Sequence, residues 1–385
     1  MFGMHLGRAR EKIIAVADIG SGSAALAIVA VPKDGPARIL AAERLFLPLE
    51  ERSSDAIQAA IGRHLIEVGQ KVLAAHLKAS GVQPQLVYAL IRAPWTQSKT
   101  VEAQTSFVEP TRITDKMVGA LAQQALASEK EFDTGQLLEA SVIRLLINGY
   151  PTRHPEGAQG QRLSIAALLS ECEPNFRSVI TSALEQLFGA RRPVLRSGVH
   201  AILSLLRNRA STSRRDFLVV DMASEGTNLI VIRDGITTQH DRIAEGKNAL
   251  LKRVGSGLPE ETLTLLRLIA RGECHDPACE AVNSAIAKAE PELVRTFGEV
   301  MAKLIVQQRL PNNLILATHD DLVPWLSSFF SRIDFAQFTT TTQPFSVTAL
   351  KAVDIAHLAL PDSGVHADTG LLLASALVNI EERRV

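Results

Sequence analysis

The stretch Phe217-Leu-Val-Val-Asp-Met-Ala-Ser-Glu-Gly-Thr-Asn-Leu-Ile-Val-Ile-Arg-Asp-Gly235 decides how this chain of 385 residues folds. An apolar run ends at Asp221, a loop of small and polar residues follows, and a second apolar run leads to a turn at Asp234-Gly235. Short apolar runs bounded by turn residues are typical of buried β-strands. The stretch therefore predicts a hairpin that carries an aspartate at the end of its first strand.

A second stretch near the N-terminus has the same pattern. It reads Ile13-Ile-Ala-Val-Ala-Asp-Ile-Gly-Ser-Gly-Ser-Ala-Ala-Leu-Ala-Ile-Val-Ala-Val31, with Asp18 at the end of the first run. Backbone N–H groups in such loops can bind phosphate, and the aspartates can hold a metal ion or a water. The repeated hairpin predicts two lobes that face each other across a phosphate-binding cleft.

The composition indicates a soluble globular protein. Apolar residues make up 46% and charged residues 21%, both ordinary values. Lys and Arg together number 41, as do Asp and Glu, and this balance argues against nucleic acid as a partner. We find no apolar run long enough to span a membrane and no signal-peptide core.

The cysteines are few and odd in number: Cys172, Cys274 and Cys279. Such usage favours a reducing cytoplasm and predicts no disulfide framework. Cys274 and Cys279 are separated by four residues, which is a slack spacing for zinc, and no second ligand pair is nearby. We therefore expect a surface loop between two helices at this position.

The pattern of predicted strands and helices divides the chain. Residues 1–95 form the core of a first lobe in β-β-β-α-β order, with a helix over Ser54–Ser80. The texture changes at Pro94, and we assign residues 96–173 to an inserted α+β subdomain, in which Leu137–Ile147 fits either a strand or a helix. The first lobe resumes over 174–213. A second lobe follows over 214–360, helical over about 247–310, and 361–385 holds a closing helix.

These segments resemble the FtsA/PilM family of actin-like ATPases, which includes a cell-division protein and a type IV pilus assembly protein. The resemblance covers nearly the whole chain and is carried by motifs in the family's order: Asp18–Ser23, His154–Leu163, Asp221–Leu229 and Leu316–Leu326, with a closing helix from Gly370. It implies a two-lobed, ribonuclease H-like α/β fold with an FtsA-type inserted subdomain of SHS2 type.

The resemblance also implies a site for ATP and Mg²⁺. Asp18 and Asp221 become the candidate catalytic residues and Mg²⁺ ligands. The nucleotide would be bound by residues of both phosphate loops and of the adenosine segment: Gly20, Ser21, Gly22, Ser23, Ser224, Gly226, Thr227, Thr318 and His319. The alternative interpretation is that these aspartates and glycines only form turns at strand ends.

Two of the three nucleotide segments depart from the family pattern. Ala223 replaces a loop glycine, and Glu225 adds a negative charge where phosphate would bind. Thr318-His319-Asp320 stands where the family has three glycines, so side chains would obstruct a purine. We therefore predict weak or absent hydrolysis.

The resemblance implies a cytoplasmic scaffold that links protein partners at the inner membrane, in cell division or in type IV pilus assembly. Glu381–Val385 shows no amphipathic membrane helix, so we expect membrane association through partners. Self-association or filament formation stays open. One alternative is a working ATPase or sugar-kinase-like enzyme of the same superfold; another is a nucleotide-free relative that serves a different assembly. The Phe-rich segment Phe329–Phe338 is read as core, with an exposed partner-binding patch as the alternative.

Overall fold

The first lobe is built on the predicted N-terminal hairpin. The computed structural model describes residues 11–48, 53–152, 155–189, 191–208, 216–255, 258–275, 277–306 and 308–383. The first elements are β1 (Lys12–Ile19), β2 (Ser23–Val31), β3 (Ala37–Phe46), α1 (Ser54–Ser80) and β4 (Leu86–Ile91). Strand β1 pairs antiparallel with β2 and parallel with β4, in the expected β-β-β-α-β order.

Helix α1 begins and ends where the sequence indicates. The Ser53 side chain accepts a hydrogen bond of 3.3 Å from the Ala56 N–H, which satisfies a free donor of the first turn. Gly81 follows the helix with a φ of 66°, a left-handed conformation that glycine adopts without strain. The buried residues Ile61, Leu65 and Val68 pack against the first sheet and fix the helix on it.

A separate antiparallel sheet follows within the first lobe. Its elements are β5 (Thr96–Arg112), α2 (Asp115–Ala127), β6 (Glu139–Ile147), β7 (Tyr150–Pro151) and β8 (Gln159–Cys172), with strand order β5-β8-β6-β7. The segment that fitted either a strand or a helix is therefore a strand from Glu139. His154, in the predicted loop motif, lies outside the described residues.

This inserted sheet contacts both lobes. On the first-lobe side, the buried Glu139 carboxylate accepts hydrogen bonds from the N–H of Ser197 at 2.9 Å and from its hydroxyl at 2.6 Å. On the second-lobe side, the Ser98 N–H donates to His240 Nδ1 at 3.0 Å. The inserted sheet therefore lies beside the first lobe and also connects it to the second lobe, through Glu139 and Ser98.

The chain then completes the first sheet. Helix α3 (Pro174–Phe188) packs beside α1, strand β9 (Val194–Ser197) pairs parallel with β4, and helix α4 (Gly198–Asn208) follows directly. The polar linker predicted at 211–214 lies outside the described residues.

The second lobe repeats the arrangement around a five-stranded sheet in the order β12-β11-β10-β13-β14. Its elements are β10 (Phe217–Met222), β11 (Thr227–Arg233), β12 (Ile236–Ile243), α5 (Lys247–Val254), α6 (Pro259–Arg271), α7 (Pro277–Leu304), β13 (Asn313–Ala317), a 3₁₀ turn (Asp320–Leu322), α8 (Val323–Arg332) and β14 (Ser346–Ala349). As in the first lobe, the central strand pairs antiparallel with its hairpin partner and parallel with the strand on its other side.

The last elements return to the first lobe. They are α9 (Ala352–Ile355), β15 (Ala359–Pro361) and α10 (Thr369–Glu382). Strand β15 pairs with β3, so the return occurs before residue 361. Helix α10 is buried over Gly370–Ile380 and packs in one core with α4 and with residues of both sheets, such as Val16 and Val219. Among the described helices, none combines the length and apolar character needed to cross a bilayer.

The Phe-rich segment is core. Phe329 and Phe330 are fully buried, and Phe335 and Phe338 lie in the same cluster as Phe297. The edge-on ring contacts, such as 4.9 Å between the centroids of Phe297 and Phe330, stabilise this packing. The alternative of an exposed patch is therefore wrong for these side chains.

The cysteine prediction needs a correction. Cys274 and Cys279 are joined as a disulfide across the α6–α7 connection, with their Cα atoms 6.1 Å apart. Cys172 is free and buried, and no group of metal-ligating side chains occurs within the described ranges. Spacing alone missed the pair because it does not show which side chains a helix start brings together.

Candidate functional site

The two predicted phosphate loops meet at one edge of the two sheets. The loop after β1 and the loop after β10 are in direct contact, since the Ser21 hydroxyl accepts a hydrogen bond of 2.9 Å from the Glu225 N–H. A Cβ added at Gly22 would collide with the Ser224 side chain. The hairpins thus form two facing sides of a cleft, and they touch at the point where a phosphate would have to separate them.

A cavity of about 230 Å³ lies beside this contact. Its lining includes eight of the predicted site residues: Asp18, Gly20, Ser21, Gly22, Ser23, Ser224, Thr318 and His319. The other predicted residues lie behind the second loop or at its base. Thr227 is fully buried and donates to the Glu245 carbonyl at 2.8 Å, and Gly226 backs onto Pro94.

Asp18 is bound by an arginine that the sequence analysis did not identify. Arg44 donates from Nη2 to Asp18 Oδ2 at 2.5 Å and from Nη1 to the Ser23 hydroxyl at 2.7 Å. It also donates from Nε to Asp368 Oδ2 at 2.5 Å. Burial lowers the pKa of Arg44, but Asp18 and Asp368 more than offset this effect and raise it above its usual value, so the guanidinium stays charged.

The strand register explains this pairing. Asp18 lies opposite Ala25, and Ala25 lies opposite Arg44. Residues in one row across neighbouring strands point to the same face of the sheet. The sequence does show that Arg44 is a charged residue within the alternating strand β3. Only the strand register shows that it lies beside Asp18.

Asp221 is bound in the same way from the opposite lobe. Arg92, directly after β4, donates from Nη2 to Asp221 Oδ1 at 2.8 Å, and the Asp221 side chain is 1% exposed. Burial lowers the pKa of Arg92, while Asp221 and Asp18 raise it to a net value above the ordinary one. Each candidate metal ligand therefore carries a cation supplied by the chain itself.

Whether Mg²⁺ fits this site depends on the free oxygens of Asp18 and Asp221. Asp18 Oδ1 and Asp221 Oδ2 are buried and have no hydrogen-bond partner among the described residues, which would suit a cation. The opposite oxygens hold guanidinium groups, so the charge of each carboxylate is already compensated by an arginine and little net negative charge is left for a divalent ion. With the loops also in contact, the donor set does not fit a Mg²⁺-bound triphosphate.

The cavity is also lined by Lys247, Thr318, His319 and Asp320, and by the apolar Leu350 and Leu373. His319 Nδ1 accepts the Asp321 N–H at 3.3 Å. Burial lowers the pKa of His319, and the nearby Lys247 lowers it further. Side chains thus fill the segment where the resemblance placed an adenosine.

Comparison with known proteins establishes the fold. No family model matches the chain, and no curated protein matches it. A chain described as "PilM-PilN type IV pilus biogenesis complex" superposes with a TM-score of 0.56 at 15% identity, over 98% of each chain. Ethanolamine utilization protein EutJ from Carboxydothermus hydrogenoformans gives a TM-score of 0.42 at 14% identity, over 95% of this chain and 89% of that one.

The ROK hexokinase from Thermus thermophilus overlaps over 97% of this chain and 99% of its own, with a TM-score of 0.34 at 12% identity. Neither it nor the EutJ structure is similar enough to carry an argument. Three observations point to the same fold: the mixed sheets, the duplicated hairpins and the likeness to the pilus complex. This chain has the two-lobed actin-like ATPase fold.

Proposed function

We propose that this chain is an actin-like scaffold that binds protein partners of an inner-membrane machine of the type IV pilus class and hydrolyses ATP weakly or not at all. The observation that carries the proposal is the occupation of both cleft carboxylates by arginines: Arg44 on Asp18 and Arg92 on Asp221. An ATPase of this fold needs those carboxylates for a cation or a water. Here they hold the chain together instead.

The contact between the loops supports the same conclusion. A phosphate bound by both loops would replace the hydrogen bond between the Glu225 N–H and Ser21 with contacts to its own oxygens. Glu225 is also fixed, because Asn248 donates to its carboxylate at 2.5 Å. A negative charge held beside the loop disfavours a triphosphate at that place.

The partner class is proposed from the likeness to a chain of the PilM-PilN complex. In the scaffold we envisage, the chain acts in the cytoplasm and reaches the membrane through its partners. The inserted subdomain of residues 96–173 is the part we assign to docking, because it lies outside the cleft and presents the outer end of its sheet to solvent.

The rival function is a working ATPase or kinase-like enzyme. The unpartnered oxygens Asp18 Oδ1 and Asp221 Oδ2 favour it, since a cation could bind there if the arginines moved away. Calorimetric titration with Mg-ATP, combined with a phosphate-release assay, separates the two. We expect no turnover above the blank. Micromolar binding with turnover that disappears in Asp221→Ala would establish the enzyme.

The partner assignment has its own test. The chain is co-expressed with the PilN-type protein of the same genome, and the pair is analysed by size-exclusion chromatography in the presence of EDTA. We expect a stoichiometric complex that needs no nucleotide. A complex that forms only with Mg-ATP would contradict a nucleotide-independent scaffold, and no complex at all would remove the pilus assignment.

A further inference from the structure

One lysine that lines the cleft has no carboxylate at salt-bridge distance among the described residues. Lys247 is the first residue of α5 and lines the cavity with Thr318 and His319. Within the described residues it makes no ion pair, whereas Arg44 and Arg92 in the same cavity are each bound to a carboxylate. Burial lowers the pKa of the Lys247 ammonium group by more than Glu260, Glu225 and Asp321 raise it.

The two residues beside Lys247 present donors as well. Because His319 Nδ1 accepts the Asp321 N–H, the proton of the neutral ring lies on Nε2, which is then a donor. The Thr318 hydroxyl is buried and has no hydrogen-bond partner among the described residues. An ammonium, an imidazole N–H and a hydroxyl that line one cavity form a set of donors in need of an acceptor.

The acidic groups that act on Lys247 are Glu260, Glu225 and Asp321, and none of them forms an ion pair with it within the described residues. Glu260 is exposed to solvent. Asp321 forms a two-bond ion pair with Arg267, at 2.7 and 2.8 Å. Glu225 accepts from Asn248. Asp320 also lines the cavity, but it is exposed to solvent, where water weakens its attraction for Lys247.

We propose that the cleft binds a small phosphate-type oxyanion directly through Lys247, Thr318 and His319, without a divalent cation. The inference rests on the proposed function, because it concerns a cleft that no longer turns over ATP. Two sources supply such a group, namely free phosphate and a small organic phosphate. The cavity has a volume of about 230 Å³ and is lined in part by the apolar side chains of Leu350 and Leu373, which suit the organic part of a small organic phosphate.

The physical basis is charge compensation. A partly buried ammonium group without a partner is costly, and an oxyanion supplies both the opposite charge and the acceptor oxygens. The bound anion favours the charged forms of Lys247 and His319, so the pKa of each should rise on binding.

The test is calorimetric titration of the full chain with inorganic phosphate and, separately, with glycerol 3-phosphate, both in EDTA. We expect saturable binding in EDTA, weakened at least tenfold by Lys247→Gln, which is about 1.4 kcal/mol. Lys252→Gln is the matched control, because Lys252 lies on the same helix outside the cavity lining, and it should bind like the wild type. Tighter binding of the monoester identifies an organic phosphate as the ligand, and equal binding identifies free phosphate.

A second readout excludes a merely structural effect. NMR titration of the His319 ring should give a higher pKa with phosphate than without it, and Lys247→Arg, which keeps the charge, should retain most of the affinity. Binding that is unaffected by Lys247→Gln, or that requires Mg²⁺, would overturn the assignment, as would no binding at millimolar phosphate. None of these results depends on the ATP turnover assay, so the two proposals fail separately.

Discussion

Arg92 Nη2 lies 2.8 Å from Asp221 Oδ1 and joins the end of a first-lobe strand to the end of a second-lobe strand. The pair lies at the point where the two lobes face each other, and Asp221 is almost completely buried. A cation from one lobe is thus bound to the carboxylate of the other. The cleft can be held closed by this contact without a metal ion or a nucleotide.

The first prediction concerns this pair. Arg92→Gln leaves the Asp221 carboxylate buried without its cation, which should lower the free energy of unfolding by about 3 kcal/mol. Chemical denaturation measures the change. Lys71→Gln, which breaks the exposed pair with Glu67, serves as the control and should leave the midpoint unchanged. A double variant with Asp221→Asn should recover part of the loss, and additive losses would show that the residues are not coupled.

The second prediction compares two glycines of the first phosphate loop. Gly22→Ala places a Cβ against the Ser224 side chain, whereas a Cβ at Gly20 meets nothing within 4 Å. We expect Gly22→Ala to cost about 1–3 kcal/mol by overpacking and Gly20→Ala to be tolerated.

Thermal unfolding of both variants and of Gly22→Ala with Ser224→Gly gives the check. The added Ser224→Gly change removes the colliding side chain and should restore the melting temperature. Equal stability of the two single variants would mean that the loops do not touch in solution.

The third prediction follows from His240. Burial lowers its pKa to about 4, below the value near 6.5 of an unfolded chain. Above pH 6.5 the ring is neutral in both states and has no effect. As the pH falls from 6.5 to 4, His240 binds a proton in the unfolded chain but stays neutral in the folded one. The free energy of unfolding therefore decreases, by about 3 kcal/mol in total.

The measurement is the pH dependence of the free energy of unfolding in the wild type and in His240→Gln, since Gln can still accept the Ser98 N–H. The wild type should lose more stability than the variant between pH 6.5 and 4. Parallel curves would show that His240 is hydrated in solution and does not bridge the insert and the second lobe.

The fourth prediction concerns Glu139, which bonds the insert to the first lobe. Burial raises its pKa, but His200, with Nδ1 at 2.6 Å, and the donors of Ser197 lower it by more, so the net pKa is below the usual value. Its stabilisation is therefore present above the unfolded pKa near 4.3 and lost as the pH falls through the folded value. Glu139→Gln should destabilise the protein at pH 7, by about 3 kcal/mol, and by less at lower pH.

Hydrogen exchange in Thr96–Cys172 reports where the effect acts. Faster exchange confined to this segment in Glu139→Gln would support a docking role for the carboxylate. Uniformly faster exchange over the whole chain would show that the insert and the lobe unfold as one unit.

Local pattern was sufficient for most of the fold. The two hairpins, the helix from Ser54 to Ser80 and the closing helix depend on apolar periodicity and on end signals such as Ser53 and Gly81. Each of these signals lies within the element that it defines or directly beside it. The segment from Glu139 was ambiguous, because a short apolar run fits either a strand or a buried helix segment until its pairing with β8 is known.

The sequence by itself determined that Asp18 and Asp221 end equivalent strands, and so that they face one cleft. Only the tertiary structure decided what those carboxylates hold, because Arg44 and Arg92 reach them through strand register and lobe contact. Arg92 is 129 residues from Asp221, and Arg44 is 324 residues from Asp368, its second carboxylate partner. An ion pair depends on distances of a few ångströms in space, and linear spacing does not contain them.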